Sequence, residues 1–237
     1  FPFTIFFGQA PIDAVNAATV SQGVIDAAVR RVLRAKLCFR LDTDPPVPDA
    51  GLIETAEHVD LALEAARKSI VLLKNDDMAL PFVRSEMDSI VVLGSLAAQA
   101  NIGDNGSSNV VPSFVVTPLQ GIEAGTRNVT VTYIPGPTLS GSEQAALAGA
   151  DAAVVVAGLT KDDEGEGLVS AGDRETMGLS VEDDQLISDV AALNPRTVVV
   201  LEGRSAITMP WVSDVEAILM AWYPGMEGGD AIAEVVS

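Results

Sequence analysis

Short, continuous apolar runs rich in Val and Ile recur along this chain: Ser89–Leu93, Ala152–Ala157, Thr197–Leu201 and Ala217–Ala221. Runs of this length without alternation predict strands covered on both faces, as in a parallel sheet. Leu186, Ile187, Val190 and Ala191 instead repeat at helical spacing. They predict a helix over 181–193, with Ser180 as its N-cap and Asp183 at the capping-box position. Val129–Tyr133 alternates Val and Thr, which predicts an edge or half-exposed strand. Upstream, Ile25, Ala28, Val29, Val32 and Leu33 predict an amphipathic helix over 21–37 with one buried face. Asp26 lies early in it and Arg30, Arg31, Arg34 and Lys36 late, which suits the helix dipole. The same spacing in Val59, Ala62, Leu63, Ala66, Ile70 and Leu73 predicts a second helix over 57–73, closed by the turn Asn75-Asp76-Asp77. Strands alternating with helices imply an α/β fold, a mainly parallel sheet sandwiched between helices (α/β/α).

Composition narrows the partners. The chain has 237 residues, of which 48% are apolar, enough to build a sizeable core. No uninterrupted apolar run approaches the roughly 20 residues a membrane helix needs. A net charge of −19 argues against general binding to nucleic acid or to an anionic membrane, since both repel it. That charge is unevenly placed: residues 1–40 hold five Lys/Arg and only two Asp/Glu. With the composition break at Asp42–Pro48, this predicts a first unit over 1–40, a linker over 41–51 and a second unit over 52–237. The opening stretch Phe1–Phe7 lacks a basic region before it, so it reads as a cut edge rather than a signal peptide. A single cysteine, Cys38, permits no internal disulfide; a single histidine, His58, permits no His/Cys zinc cluster. Cys38 is expected to pack beside Phe39, and His58 to lie on the surface. No metal or cofactor is expected, and the chemistry falls to carboxylates.

Two loops stand beyond the carboxyl ends of predicted strands, where open parallel sheets collect ligands. The first is Gly103-Asp104-Asn105-Gly106-Ser107-Ser108-Asn109. Nearly every side chain in it can hydrogen-bond, but it lacks the lysine of a P-loop and the glycine spacing of a dinucleotide site. A plain surface turn uses the same residues. The second is Thr160-Lys161-Asp162-Asp163-Glu164-Gly165-Glu166-Gly167. Carboxylates crowded together raise one another's pKa, and a glutamate so raised can serve as a general acid near neutral pH. An acidic solvated loop is the competing reading, while the EF-hand order of a calcium loop is not met. Gly165 and Gly167 around Glu166 allow a close approach to a ligand. Trp211, Trp222 and Tyr223 could stack on sugar faces, although core or loop-anchoring roles suit their positions better.

Taken in order, these motifs resemble glycoside hydrolase family 3, the β-glucosidase-like group. Val24–Lys36 (VIDAAVRRVLRAK) is similar to the helix that closes the family's N-terminal (β/α)8 barrel. Ala65–Asn75 (AARKSIVLLKN) with Leu80-Pro81 is similar to the entry of its second domain. Gly103–Gly121, Glu164–Arg174 (EGEGLVSAGDR) and Asn194–Gly229 resemble that domain's first active-site loop, its acid/base loop and its later strands. The resemblance implies a retaining exo-acting β-glycosidase that hydrolyses terminal β-linked glucose by double displacement. It places the acid/base at Glu166, with Glu164 as runner-up, and Asp104 and Asn105 as sugar or acceptor contacts. Asp173 and Arg174, the family-like DR pair, would brace the loop. The family's barrel nucleophile and its sugar-gripping Lys-His pair have no counterpart here. The chain is therefore expected to be an internal part of a longer enzyme, ending before the family's closing strand, inactive alone and completed by the missing barrel. A non-catalytic carbohydrate-binding or interaction module on the same fold is the alternative.

Overall fold

The computed structural model describes residues 7–107, 109–166 and 174–237. They form two compact units, Phe1–Ile53 and Glu54–Ser237. The first holds helices α1 (Gln9–Asn16) and α2 (Gln22–Cys38). The α2 helix lies where its periodicity predicts, but its expected buried face is not buried: no residue of α2 is. Val29, Val32 and Leu33 are all exposed, because nothing among the described residues covers the apolar stripe. Cys38 is likewise exposed beside exposed Phe39, which corrects the expectation that it packs.

The second unit opens with α3 (Ala56–Ser69) and β1 (Val71–Asn75). Here the sequence reading of one helix over 57–73 is corrected. Ile70-Val71-Leu72-Leu73 is apolar at every position, so it satisfies a helical period and a strand equally well. The helix stops at Ser69, and Val71–Asn75 pairs antiparallel with the strand Ala217–Trp222, Val71 opposite Met220. An open sheet edge elsewhere in the chain supplies hydrogen bonds that the local pattern cannot reveal.

The remaining elements are β2 (Ser89–Leu93), α4 (Pro118–Gly125), β3 (Thr130–Ile134), α5 (Gly141–Gly149), β4 (Ala152–Gly158), α6 (Lys161–Glu164), α7 (Val181–Leu193), β5 (Thr197–Glu202), β6 (Ala217–Trp222) and α8 (Gly228–Val236). The six strands run in the order β1-β6-β5-β4-β2-β3, and every pairing except β1 with β6 is parallel. The apolar runs that predict buried strands are buried: each residue of β4 and β5 is enclosed. β3 lies at an edge with its threonines exposed, as its alternation predicts.

Successive side chains point to opposite faces of the sheet and build two cores. Val92, Val154, Val156, Val198, Val200 and Leu219 pack with Ile122 of α4 and Ile232 of α8. Val91, Val155, Val199 and Ile218 pack with Leu147 of α5 and Leu186, Ile187 and Val190 of α7. Each such side chain contributes about 1.5–3 kcal/mol by leaving water. The Ser180 hydroxyl accepts from the Asp183 amide at 3.0 Å, so α7 starts at the residue its cap predicts. Full capping boxes, with the reciprocal side-chain bond, start α4 at Thr117 and α5 at Ser140.

Helices α4 and α8 touch backbone to backbone through Gly121 and Gly229. A Cβ on Gly121 would collide with the Gly229 carbonyl, and one on Gly229 with the Thr117 carbonyl. Gly121→Ala is therefore expected to cost about 3 kcal/mol of stability, read as a lower urea midpoint with an unchanged m-value. An unchanged midpoint would show that the helices can separate without loss.

Candidate active site

The parallel strands bring the loops after β2, β4, β5 and β6 to one edge of the sheet. Both loops singled out in the sequence lie there, and they meet. The Ser107 amide donates to Oε2 of Glu166 at 3.0 Å. Gly106 permits the approach, because a Cβ at that position would press on the same carboxylate. Glu166 itself is exposed.

The acidic run is not a set of equivalent, repelling groups, because each carboxylate has its own partner. Asp163 is used by the helix cap: its Oδ2 accepts from the Thr160 amide at 2.8 Å and from the Thr160 hydroxyl at 2.9 Å. Asp162 pairs with Lys161 at 2.9 Å. Glu164 ends α6 with its side chain wholly buried. Its Oε1 accepts from the Arg204 amide and from the Tyr223 hydroxyl at 3.1 Å. Its Oε2 accepts from the Ser205 hydroxyl at 3.4 Å and lies 3.8 Å from Nε of Arg174.

Those donors come from the ends of β5 and β6, where the ladder is irregular. The register slips at Leu201/Glu202, and Trp222 takes a left-handed backbone, φ +60°. A bulky residue rarely adopts that conformation, and here it accompanies the turn that brings the next side chain, Tyr223, to Glu164. Burial, reinforced by the Glu164 carboxylate, raises the Tyr223 pKa above its ordinary value, which keeps the phenol protonated as a donor.

Asp104 and Asn105 lie in the first loop, partly buried. The Asp104 carboxylate accepts from the Gly106 amide at 3.0 Å and pairs with Arg204 at 3.3 Å. The Gly106 amide and, less strongly, the Arg204 guanidinium hold its pKa below the usual carboxylate range. Asn105 has φ +61°, a backbone that asparagine tolerates better than most residues. It lines a polar cavity of about 280 Å³ together with Asn101, Asn109, Thr160 and Lys161.

Arg174 reaches across the site as a brace: one Nη donates to the Ser205 hydroxyl at 2.8 Å and also to the Ala206 carbonyl. Asp173, its neighbour in the DR pair, and Gly167 lie outside the described residues. Trp211 is core, buried with its indole N–H on Asp184 at 2.8 Å, whereas Trp222 sits at the sheet edge with its N–H on the Ser69 carbonyl at 3.1 Å. His58 is exposed near the start of α3. Among the described residues no His/Cys/Asp/Glu group could hold a metal ion, and no helix is long and apolar enough to cross a membrane.

Sequence reasoning misses Glu202, the last residue of β5. It is buried, and its Oε2 accepts from Asn101 at 3.0 Å, an amide that also donates to the Leu159 carbonyl at 3.1 Å. Burial pushes its pKa up to about 8. The only signal in the sequence is an acid closing an unbroken apolar strand, TVVVLE. Ser205 is missed as well, since it carries no motif, whereas Tyr223, singled out in the sequence for stacking or loop anchoring, is found with its hydroxyl on Glu164.

Residues 70–237 match the model of the glycosyl hydrolase family 3 C-terminal domain. The chain is 31% identical to thermostable β-glucosidase B of Acetivibrio thermocellus over 235 residues, covering 95% of this chain and 30% of that protein. It is also 31% identical to an exo-α-(1→6)-L-arabinopyranosidase of Bifidobacterium breve, over 92% of this chain and 29% of that protein. Among solved structures, the family 3 β-glucosidase of Bifidobacterium adolescentis superposes with a TM-score of 0.80 at 28% identity, covering 96% of this chain and 33% of that one. The chain thus spans about a third of the length of the curated relatives it matches.

Proposed function

Because the chain belongs to glycosyl hydrolase family 3, we propose that it supplies the acid/base glutamate, Glu166, of a retaining exo-β-glycosidase acting on terminal β-linked glucose. The observation that carries this reading is the contrast between the two glutamates of the EGEG segment. Glu164 is enclosed and surrounded by donors, so it has no access to a substrate. Glu166 stands exposed at the ligand-collecting edge of the sheet and accepts from the Ser107 backbone N–H of the facing loop.

In the proposed mechanism a second carboxylate, from a barrel domain of the same parent protein, attacks the anomeric carbon. Glu166 donates its proton to the departing glycosidic oxygen as that bond breaks. It then takes a proton from the water that hydrolyses the glycosyl-enzyme intermediate. Retention sets the two carboxyl groups roughly 5–5.5 Å apart. Asp104 and Asn105 border the entrance and offer an acceptor and an amide to sugar hydroxyls. The test is hydrolysis of 4-nitrophenyl β-D-glucoside by this chain alone and after mixing with a separately produced barrel domain. Turnover is expected only in the mixture. Turnover by the chain alone would put both carboxylates within it and sink the proposal. Sugar binding without turnover in either case would favour a carbohydrate-binding module.

A further inference from the structure

We infer that Glu164 is a positioning residue that sets the carboxylate of Glu166 through a closed circuit of contacts around the site. The inference rests on the reading of Glu166 as the acid/base. The circuit can be followed atom by atom. Glu164 Oε1 receives the Arg204 amide, and the Arg204 side chain reaches Asp104 at 3.3 Å. The other Asp104 oxygen receives the Gly106 amide at 3.0 Å. The next residue, Ser107, donates its amide to Glu166 Oε2 at 3.0 Å, and Glu166 is two residues from Glu164.

Three features make Glu164 the fixed point of this ring rather than a passive member. Its side chain is completely buried, and a buried carboxyl group is tolerated only when its oxygens are met by donors. Those donors come from separate segments, Arg204 with Ser205 and Tyr223, and the Arg174 guanidinium from a third adds its charge at 3.8 Å. The Arg204 amide faces Oε1 and the Arg174 guanidinium faces Oε2, and neither can accept, so an amide at this position would turn its NH2 toward one of them. Glu166 and the tip of the first loop are exposed by contrast. One short segment therefore carries both the anchored glutamate and the accessible one.

The experiment uses the intact chain and the Ser107 amide as reporter, followed by ¹H–¹⁵N NMR across pH. A backbone N–H on a carboxylate shifts when that carboxylate takes up a proton. Ser107 is thus expected to show a titration step that disappears in Glu166→Gln. Glu164→Gln, folded as judged by amide dispersion and thermal unfolding, is expected to lose the Ser107 step although Glu166 is intact. Tyr223→Phe and Ser205→Ala each remove one hydroxyl donor to Glu164. They are expected to shrink the same step, and they carry the test if Glu164→Gln does not fold. A Ser107 step of unchanged size and midpoint in the folded variants would overturn the inference, as would its absence from the unmodified chain. A purely structural Glu164 would lower the unfolding temperature and leave the step in place. The catalytic reading fails separately, on activity: equal losses in Glu166→Gln for good and poor leaving groups would remove it while the Ser107 result stood.

Discussion

Glu166→Gln, in the enzyme assembled with its barrel, is expected to lower kcat for an alkyl β-glucoside by about 10²–10⁴-fold, the usual contribution of a positioned general acid. The same substitution should cost a dinitrophenyl β-glucoside less than about tenfold in the glycosylation step. The physical reason lies in the leaving group. An alkoxide is a strong base and cannot depart without a proton, so the barrier rises by roughly 3–5 kcal/mol when the donor is lost. A dinitrophenolate carries its own charge, and the acid adds little. Glutamine keeps the size of Glu166 and can still accept from the Ser107 amide, so that contact is retained in the variant. Steady-state kinetics on the two substrates decide the matter, and equal losses on both would exclude Glu166 as the acid.

Stability should depend on pH through Glu202, and Glu202→Gln should largely remove that dependence. The folded-state pKa is pushed up to about 8 by burial, while the unfolded chain titrates near the ordinary value of 4.5. The folded form therefore holds the proton more tightly. Its contribution is fully present below about pH 4.5 and is lost as pH rises to 8, at about 1.4 kcal/mol per unit. The total is on the order of 5 kcal/mol, large against a domain's net stability of about 5–15 kcal/mol. Glutamine resembles the protonated acid in shape, and its oxygen can accept from Asn101. Urea unfolding of both proteins at pH 5, 6.5 and 8 should show the unmodified chain losing several kcal/mol relative to the variant. Every other titrating group is common to both and cancels. A difference that stays constant with pH would show that Glu202 does not titrate in this interval.

Glu202 also shows where reading the chain stops. It sits at the end of TVVVLE, and nothing in that run distinguishes a solvated terminal acid from an enclosed one. Asn101, about a hundred residues earlier, makes the difference. The helix expected over 57–73 fails for a related reason: four consecutive apolar residues suit two periods, and the edge of β6 chooses between them. By contrast, β2, β4, β5, β6 and α7 were legible, because short continuous apolar runs and a capped helical repeat are local properties.

Local residue patterns carry the α/β class, the strands of the parallel sheet and the two polar loops beyond their ends. They also supply both glutamates of EGEG as candidates. Only the tertiary structure separated their surroundings, enclosing Glu164 and leaving Glu166 exposed. The pattern of burial and backbone period is written in neighbouring residues, whereas the chemistry of a carboxyl group is set by what surrounds it. For Glu164 those surroundings are Arg174, Arg204, Ser205 and Tyr223, and for Glu166 they include the Ser107 amide. Each was brought beside its carboxylate by the closing of the sheet.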